Sequence, residues 1–375
     1  VTLGHSEEPD ASSIRRLETG SFGSLIWSWY RPLSRTPRIF LGLIRMAIQL
    51  VGVEVESLWI PLARRKIAHL KPGDFDLVLS TASPFSASKM AVDLSSRIRC
   101  PVVLDFRDPW AGNPAPFIRS SGAADAERRL LRSASAVTTV SPSLRKHFER
   151  VGENIEVTVV SNAYDPEECE AVIPTEFGRF TIVYAGSLYP GHRRLDPVIA
   201  ALAEIWSRGR RDWELRYYGF NDFQLRAAMS RVGFSKNIRD CGPVPRSEVL
   251  GAVKGAGLAV VVAGSADTAS DSAETGVLTG KLFETIGLRV PMLVVAPSPS
   301  DVDDVLDVVG LGRSFPGSRI SEMADYIEEV MEGKAPEVRH PEVFSWPEQI
   351  EKLDGVLRKV LREGSPAGME PVKCE

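Results

Sequence analysis

The apolar positions of this chain switch repeatedly between two spacings. Residues 76–80 form a short apolar run of strand length, and residues 85–97 repeat their apolar side chains at helical spacing. The succession recurs as strand 101–105, helix 123–133, the β-branched strand 136–140, helix 141–150 opened by Ser-Pro, and strand 157–160. It weakens over residues 173–178, where Pro174 and Gly178 interrupt it, and then restarts. Strands 180–184, 213–218, 238–240, 258–262 and 292–295 are each followed by a helix, at 197–208, 222–232, 245–256, 279–286 and 300–309. A last amphipathic helix covers 344–361. At the other end, residues 1–37 read as loops with one short helix. Residues 38–70 read as two helices, 38–50 and 58–70, with Pro61 in the first turn of the second.

Buried strands alternating with helices predict parallel βαβ units and open sheets. The expected class is therefore α/β, with two Rossmann-like, doubly wound domains facing a cleft. Residues 1–174 make the first domain, 179–343 the second, and helix 344–363 crosses back to the first. Ligands of open α/β sheets lie beyond the carboxyl ends of the strands, near a switch point. Two such edges predict a site for two substrates.

Length and composition fit this picture. A chain of 375 residues can bury two cores, and 43% apolar with 25% charged residues is a globular composition. The 45 basic and 49 acidic residues leave a net charge of −4, without the basic excess of a nucleic-acid binder. Cys100, Cys169, Cys241 and Cys374 fit no metal-ligand spacing and read as reduced thiols of a cytoplasmic protein. The first thirty residues carry no secretory signal pattern. The apolar stretch 39–53 is interrupted by Arg45 and followed by Glu54 and Glu56, too short and too charged to span a bilayer.

Six segments carry more specific information. They are residues 74–86, ending in a Ser/Pro-rich turn, and 103–110, Val-Leu-Asp-Phe-Arg-Asp-Pro-Trp. Residues 140–143 with 160–166 form the third, with Ala163 where glycine is usual. The others are 183–188 with its glycine turn, 241–245, Cys-Gly-Pro-Val-Pro, and 279–284, Thr-Gly-Lys-Leu-Phe-Glu. In this order and spacing they resemble the GT-B glycosyltransferases of the retaining family 4 type, over residues 75–365. The resemblance implies transfer of a sugar from a nucleoside diphosphate donor, UDP or GDP, to an acceptor hydroxyl, with retention. It implies no metal and no other cofactor. The second domain would bind the donor. The first would bind the acceptor, which is a glycan, a lipid-linked molecule or a natural product. Residues 1–75 contain nothing like the strand, glycine-rich loop and helix that open the family's first domain, so that domain is expected to be incomplete.

The residues themselves support parts of this reading. A glycine turn at Gly186-Ser187 lets backbone N–H groups approach a pyrophosphate, and a following helix N-terminus adds positive potential. His192, Arg193 and Arg194 lie just beyond it and would neutralise a leaving diphosphate; the competing reading is a solvated basic loop. Lys281 and Glu284 share one helix face. The resemblance gives the glutamate the ribose hydroxyls and the lysine the phosphates, against a plain surface ion pair. Val244, in the 241–245 segment, joins the donor set. Gly276 stands where the family carries a sugar-binding glutamate, and Glu274, two residues earlier, is the candidate replacement. Asp105, Arg107 and Asp108 follow a buried strand. A carboxylate there would orient or deprotonate an acceptor hydroxyl, or Asp105 and Arg107 form a buried structural pair. Asn162 reads as closing a turn.

Other signals are weaker. Asp301 and Asp303 read as the acidic first turn of a helix rather than a metal clamp, and no Gly-x-Gly-x-x-Gly follows the first strand. Arg31, Arg35, Arg38 and Arg45 lie on or before the 38–53 stretch, which is either a core helix or a peripheral contact with the inner face of the membrane. Two other functions fit the same fold: a sugar-nucleotide epimerase or hydrolase, and a non-catalytic nucleotide-sugar binding protein.

Overall fold

A computed structural model describes residues 2–4, 15–16, 59–82, 84–113, 122–153, 155–188, 193–219, 223–269 and 275–364. These residues form two compact units. The chain passes from the first to the second at Val159–Val160 and returns at Lys352–Leu353, and residues 141–143 belong to the second. The expected helix 38–50, His192 and Glu274 lie outside the described residues.

The first unit is built on a sheet of order β2-β1-β3-β4-β5-β6. Its strands are β1 (Thr2–Gly4), β2 (Arg15–Arg16), β3 (Leu77–Ala82), β4 (Val102–Phe106), β5 (Ala136–Thr139) and β6 (Val157–Val159). The last four run parallel. Residues 1–37 were expected as loops and a helix, yet β1 pairs antiparallel with both β2 and β3. Strands of three and two residues are too short to show a period of two. Among the described residues, four helices accompany the parallel strands: α1 (Ile60–Lys66), α2 (Phe85–Ile98), α3 (Ala123–Ser133) and α4 (Pro142–Gly152). Every residue of β4 is buried, which explains its apolar positions Val102, Val103, Leu104 and Phe106, interrupted only by Asp105.

The second unit contains β7 (Phe180–Ala185), β8 (Trp213–Tyr218), β9 (Ile238–Asp240), β10 (Leu258–Val262), β11 (Met292–Val295) and β12 (Gly312–Phe315). All neighbours are parallel, in the order β12-β11-β10-β7-β8-β9. Side chains alternate between two cores, as the pleat requires. Ile182, Val260 and Leu293 enter one; Val183, Val261 and Val294 enter the other. The accompanying helices are α5 (Pro166–Ala171), α6 (Asp196–Ser207), α7 (Phe223–Met229), α8 (Arg246–Lys254), α9 (Gly280–Gly287), α10 (Asp301–Val309) and α11 (Ile320–Met331). Helix α12 (Trp346–Glu363) begins in this unit, and from Leu353 onward it belongs to the first, where Val360 packs with Leu77 and Val103.

The sequence pattern puts the boundary at 174–179, whereas the units divide at Val160. Segment 160–172 goes with the second unit because Tyr164 and Cys169 lie in its core. Tyr164 also exchanges backbone hydrogen bonds with Phe344 and Trp346, at 3.0 and 2.9 Å. Burial pushes the Cys100 and Cys169 thiols up to about 11, which keeps them unreactive near neutral pH.

Asp301 and Asp303 open α10. Asp301 accepts hydrogen bonds from the Ser143 backbone N–H at 2.9 Å and its hydroxyl at 2.6 Å. Asp303 reaches back to the Ser300 N–H at 2.9 Å and also accepts from Ser314. Asp301 is therefore committed to the first turn of α4, and Asp303 to the start of α10 and to Ser314. Asp303→Ala is expected to lower the unfolding free energy of this unit by about 1 kcal/mol, the ordinary worth of a helix cap, as read by urea titration.

Candidate functional site

The second sheet has a single reversal of strand order. From β7 the chain adds β8 and β9 on one side, then returns to add β10, β11 and β12 on the other. The carboxyl ends of β7 and β10 therefore diverge into a crevice, the position that open α/β sheets use for ligands. A cavity of about 370 Å³ lies there. The end of β7 lines it with Tyr184, Ala185, Gly186 and Ser187, and the end of β8 with Tyr218 and Gly219. Val261 and Val262 come from β10, Pro243 and Val244 from the loop after β9, and Thr279 and Lys281 from the start of α9. Val249 and Arg193 complete the wall.

Local chemistry explains the shape. Gly186 has φ of +153°, where a side chain is strained, and its N–H donates to the Tyr218 carbonyl at 2.9 Å. A Cβ at Gly219 would stand 2.1 Å from the Gly186 carbonyl oxygen, so only glycine lets these two turns meet. The Gly219 N–H donates to Gly242 at 3.1 Å. Below the turns, Tyr184 stacks on the buried Tyr217 with 5.8 Å between ring centroids. The cavity thus has a rigid floor, apolar walls at Pro243, Val244, Val249 and Val261, and two cationic side chains, Arg193 and Lys281.

Of the donor residues expected from sequence, Gly186, Ser187, Arg193, Val244 and Lys281 meet at this cavity. Glu284 does not line it. Together with Lys281, Val249 and Val261 it lines a small adjoining space. Its Oε2 lies 3.3 Å from Lys281 Nζ and its Oε1 2.5 Å from an Arg246 nitrogen. Arg194 points elsewhere: its Nε donates to Asp196 at 2.8 Å and its backbone N–H to Ser265. The segment leading into α9 is tied by two side chains. Ser141 donates to the Gly276 carbonyl at 3.1 Å, and Asn162 donates to the Leu278 carbonyl at 3.1 Å, a long-range contact and not the closed turn its position suggested.

In the first unit, Asp105 is buried at the end of β4. Thr138 donates to its Oδ1 at 2.7 Å, and Arg107 Nε to its Oδ2 at 2.7 Å. Both oxygens are thus engaged, the arrangement of a structural pair. Asp108 is the exposed carboxylate of this loop. Glu127, which no sequence motif marks, is a completely buried side chain that accepts the Trp110 N–H at 2.7 Å and so fixes the loop.

Residues 22–168 match the family model described as Glycosyltransferase Family 4. Solved structures resemble the chain over most of its length. Sucrose-phosphate synthase from Thermosynechococcus elongatus aligns with a TM-score of 0.61 at 11% identity, over 81% of this chain and 78% of that one. The Anabaena protein HepE, in complex with UDP-glucose, gives 0.57 at 14% identity, over 80% and 82%. The pneumococcal O-GlcNAc transferase GtfA, in complex with UDP and GlcNAc, gives 0.57 at 14%, over 82% and 60%. The chain has the GT-B glycosyltransferase fold. At these identities the likeness is one of architecture. Among curated proteins, none matches the chain in sequence. Among the described residues no group of three or more His, Cys, Asp or Glu side chains is placed to hold a metal ion, and no helix is long and apolar enough to cross a membrane.

Proposed function

We propose that this protein transfers a sugar from a nucleoside diphosphate donor, UDP or GDP, to an acceptor hydroxyl. The observation that carries the reading is the cavity at the strand-order reversal. It combines a glycine turn, apolar walls and two cations in the pattern expected for a nucleotide with a diphosphate. Gly186 and Ser187 receive the diphosphate on backbone N–H groups. Arg193 and Lys281 balance its charge as it leaves, which serves in place of a metal ion. Pro243 and Val244 face the base, and Glu284 the ribose hydroxyls. Bound UDP-glucose in HepE and bound UDP in GtfA support a uridine donor. Asp108 is the carboxylate proposed to orient the acceptor hydroxyl, and retention is proposed from the family resemblance. The acceptor is a glycan, a lipid-linked molecule or a natural product. The buried, unreactive thiols fit a cytoplasmic location, and the basic 38–53 stretch fits peripheral contact with the membrane's inner face.

The test is thermal unfolding against a panel of nucleoside diphosphates, with and without magnesium. One nucleotide is expected to raise the midpoint equally in both conditions, with stabilisation of about 2.7 kcal/mol at a hundredfold excess over Kd. Glu284→Ala should lose that shift. No shift with any nucleotide would overturn the transferase reading. Turnover of a sugar nucleotide without acceptor dependence would instead favour an epimerase or hydrolase.

A further inference from the structure

Glu284 does not hold its position alone. Arg246, the first residue of α8, donates to Glu284 Oε1 at 2.5 Å. The same guanidinium is gripped from its other edge by Glu168 of α5, through Nε to Oε1 at 3.0 Å and a terminal nitrogen to Oε2 at 2.9 Å. This is the parallel two-bond geometry in which arginine is most strongly oriented by a carboxylate. Its partners hold the Arg246 pKa above its usual value, first through the Glu168 hydrogen bond and then through Glu284. Lys281 approaches the other oxygen of Glu284 at 3.3 Å.

The arithmetic of this carboxylate is informative. An ionised carboxylate offers about four lone-pair positions, two on each oxygen. Arg246 uses one on Oε1 and Lys281 one on Oε2. One position therefore remains on each oxygen, which suits two neighbouring hydroxyl donors. A cis-diol presents donors in that arrangement; a sugar lacking one of the two hydroxyls fills only half.

We infer that Arg246, clamped by Glu168, is a positioning residue that fixes the Glu284 carboxylate to receive a vicinal diol, and so makes the site select ribonucleotides over 2′-deoxyribonucleotides. The inference rests on the donor-site reading above. Arg246 and Glu168 act through Glu284, and neither lines the cavity. Removing either one leaves the carboxylate in place but free to rotate, so the diol loses its matched pair of acceptors while the base and diphosphate contacts persist.

The experiment is isothermal titration of the full chain with UDP, GDP and their 2′-deoxy counterparts. Wild type is expected to bind the preferred ribonucleotide roughly tenfold more tightly than its 2′-deoxy form, the worth of one hydrogen bond to a charged acceptor. Arg246→Gln and Glu168→Gln should each bring that ratio toward one by weakening the ribonucleotide alone, and Arg246→Lys should fall between. Equal losses for both nucleotides, or an unchanged ratio, would overturn the inference. Glu168 is largely exposed, so its variant keeps the test decisive should Arg246→Gln fail to fold. A wild type that binds ribo- and deoxyribonucleotides equally would sink this inference and leave the donor site standing. One that binds neither would sink both.

Discussion

Gly219→Ala is expected to damage the second unit more than any other single methyl group at the site. The new Cβ would lie 2.1 Å from the Gly186 carbonyl oxygen and 2.7 Å from the Tyr217 hydroxyl. Neither neighbour can withdraw cheaply. The carbonyl belongs to a turn whose N–H is tied to Tyr218, and Tyr217 is buried and stacked on Tyr184. Overpacking of this kind costs about 1–3 kcal/mol and occasionally more. Relief would come from moving the Gly186 turn away from β8, which also opens the surface proposed for the diphosphate. The expected result is a lower unfolding midpoint together with at least a tenfold loss of nucleoside diphosphate affinity. Gly178→Ala is the matching control, because its Cβ would meet nothing within 4 Å. That change should be neutral or stabilising by up to about 1 kcal/mol through the unfolded chain. Urea titration and calorimetric binding on both variants decide the matter. A Gly219→Ala protein that behaves like the control would mean that the two turns are not mechanically coupled.

Much of this architecture is legible in the sequence, for a physical reason. Strands buried on both faces, such as β10 and β11, are unbroken apolar runs, and the helices between them keep one apolar stripe. The elements that escape are those whose pattern is weak or overlooked. Strand β12, Gly-Arg-Ser-Phe, sits at a sheet edge and buries only Phe315. Helix α11 does carry a readable stripe, with Met323, Tyr326, Ile327 and Val330 buried at helical spacing, yet it falls outside the elements drawn from the pattern. The site divides the same way. Gly186, Ser187, Val244 and Lys281 lie in short local motifs and can be found one at a time. Gly219 is informative only through its distance to Gly186, which sequence does not give, although a glycine directly after a strand is a fair warning. The Glu168–Arg246–Glu284 chain joins residues 78 and 38 positions apart, and nothing local announces it.

Glu127 shows the opposite failure, a residue whose neighbourhood in sequence misleads. It stands before two arginines on α3 and reads as part of a solvated face, yet its side chain is wholly buried. Oε1 accepts the Trp110 N–H at 2.7 Å and the Ala111 N–H at 3.4 Å, and Oε2 lies 3.4 Å from His147 Nε2. Trp110 in turn stacks on Phe85 at 4.9 Å, and Lys89 lies 4.5 Å from its ring. The loop that carries Arg107 and Asp108 is therefore anchored at its far end by one carboxylate. Glu127→Ala would leave a buried backbone donor and a buried imidazole without their partner, at about 1–3 kcal/mol for each unsatisfied group. Glu127→Gln keeps an acceptor for Trp110 and should cost roughly 1–3 kcal/mol. Urea unfolding of the first unit reads both values. Nucleoside diphosphate binding by the second unit should stay at the wild-type level in either variant, while sugar transfer falls as Asp108 loses its fixed position. A Glu127→Ala cost below about 1 kcal/mol would mean that the Trp110–Phe85 stack alone holds the loop, since an aromatic pair contributes only about 0.5–1.5 kcal/mol beyond its buried area.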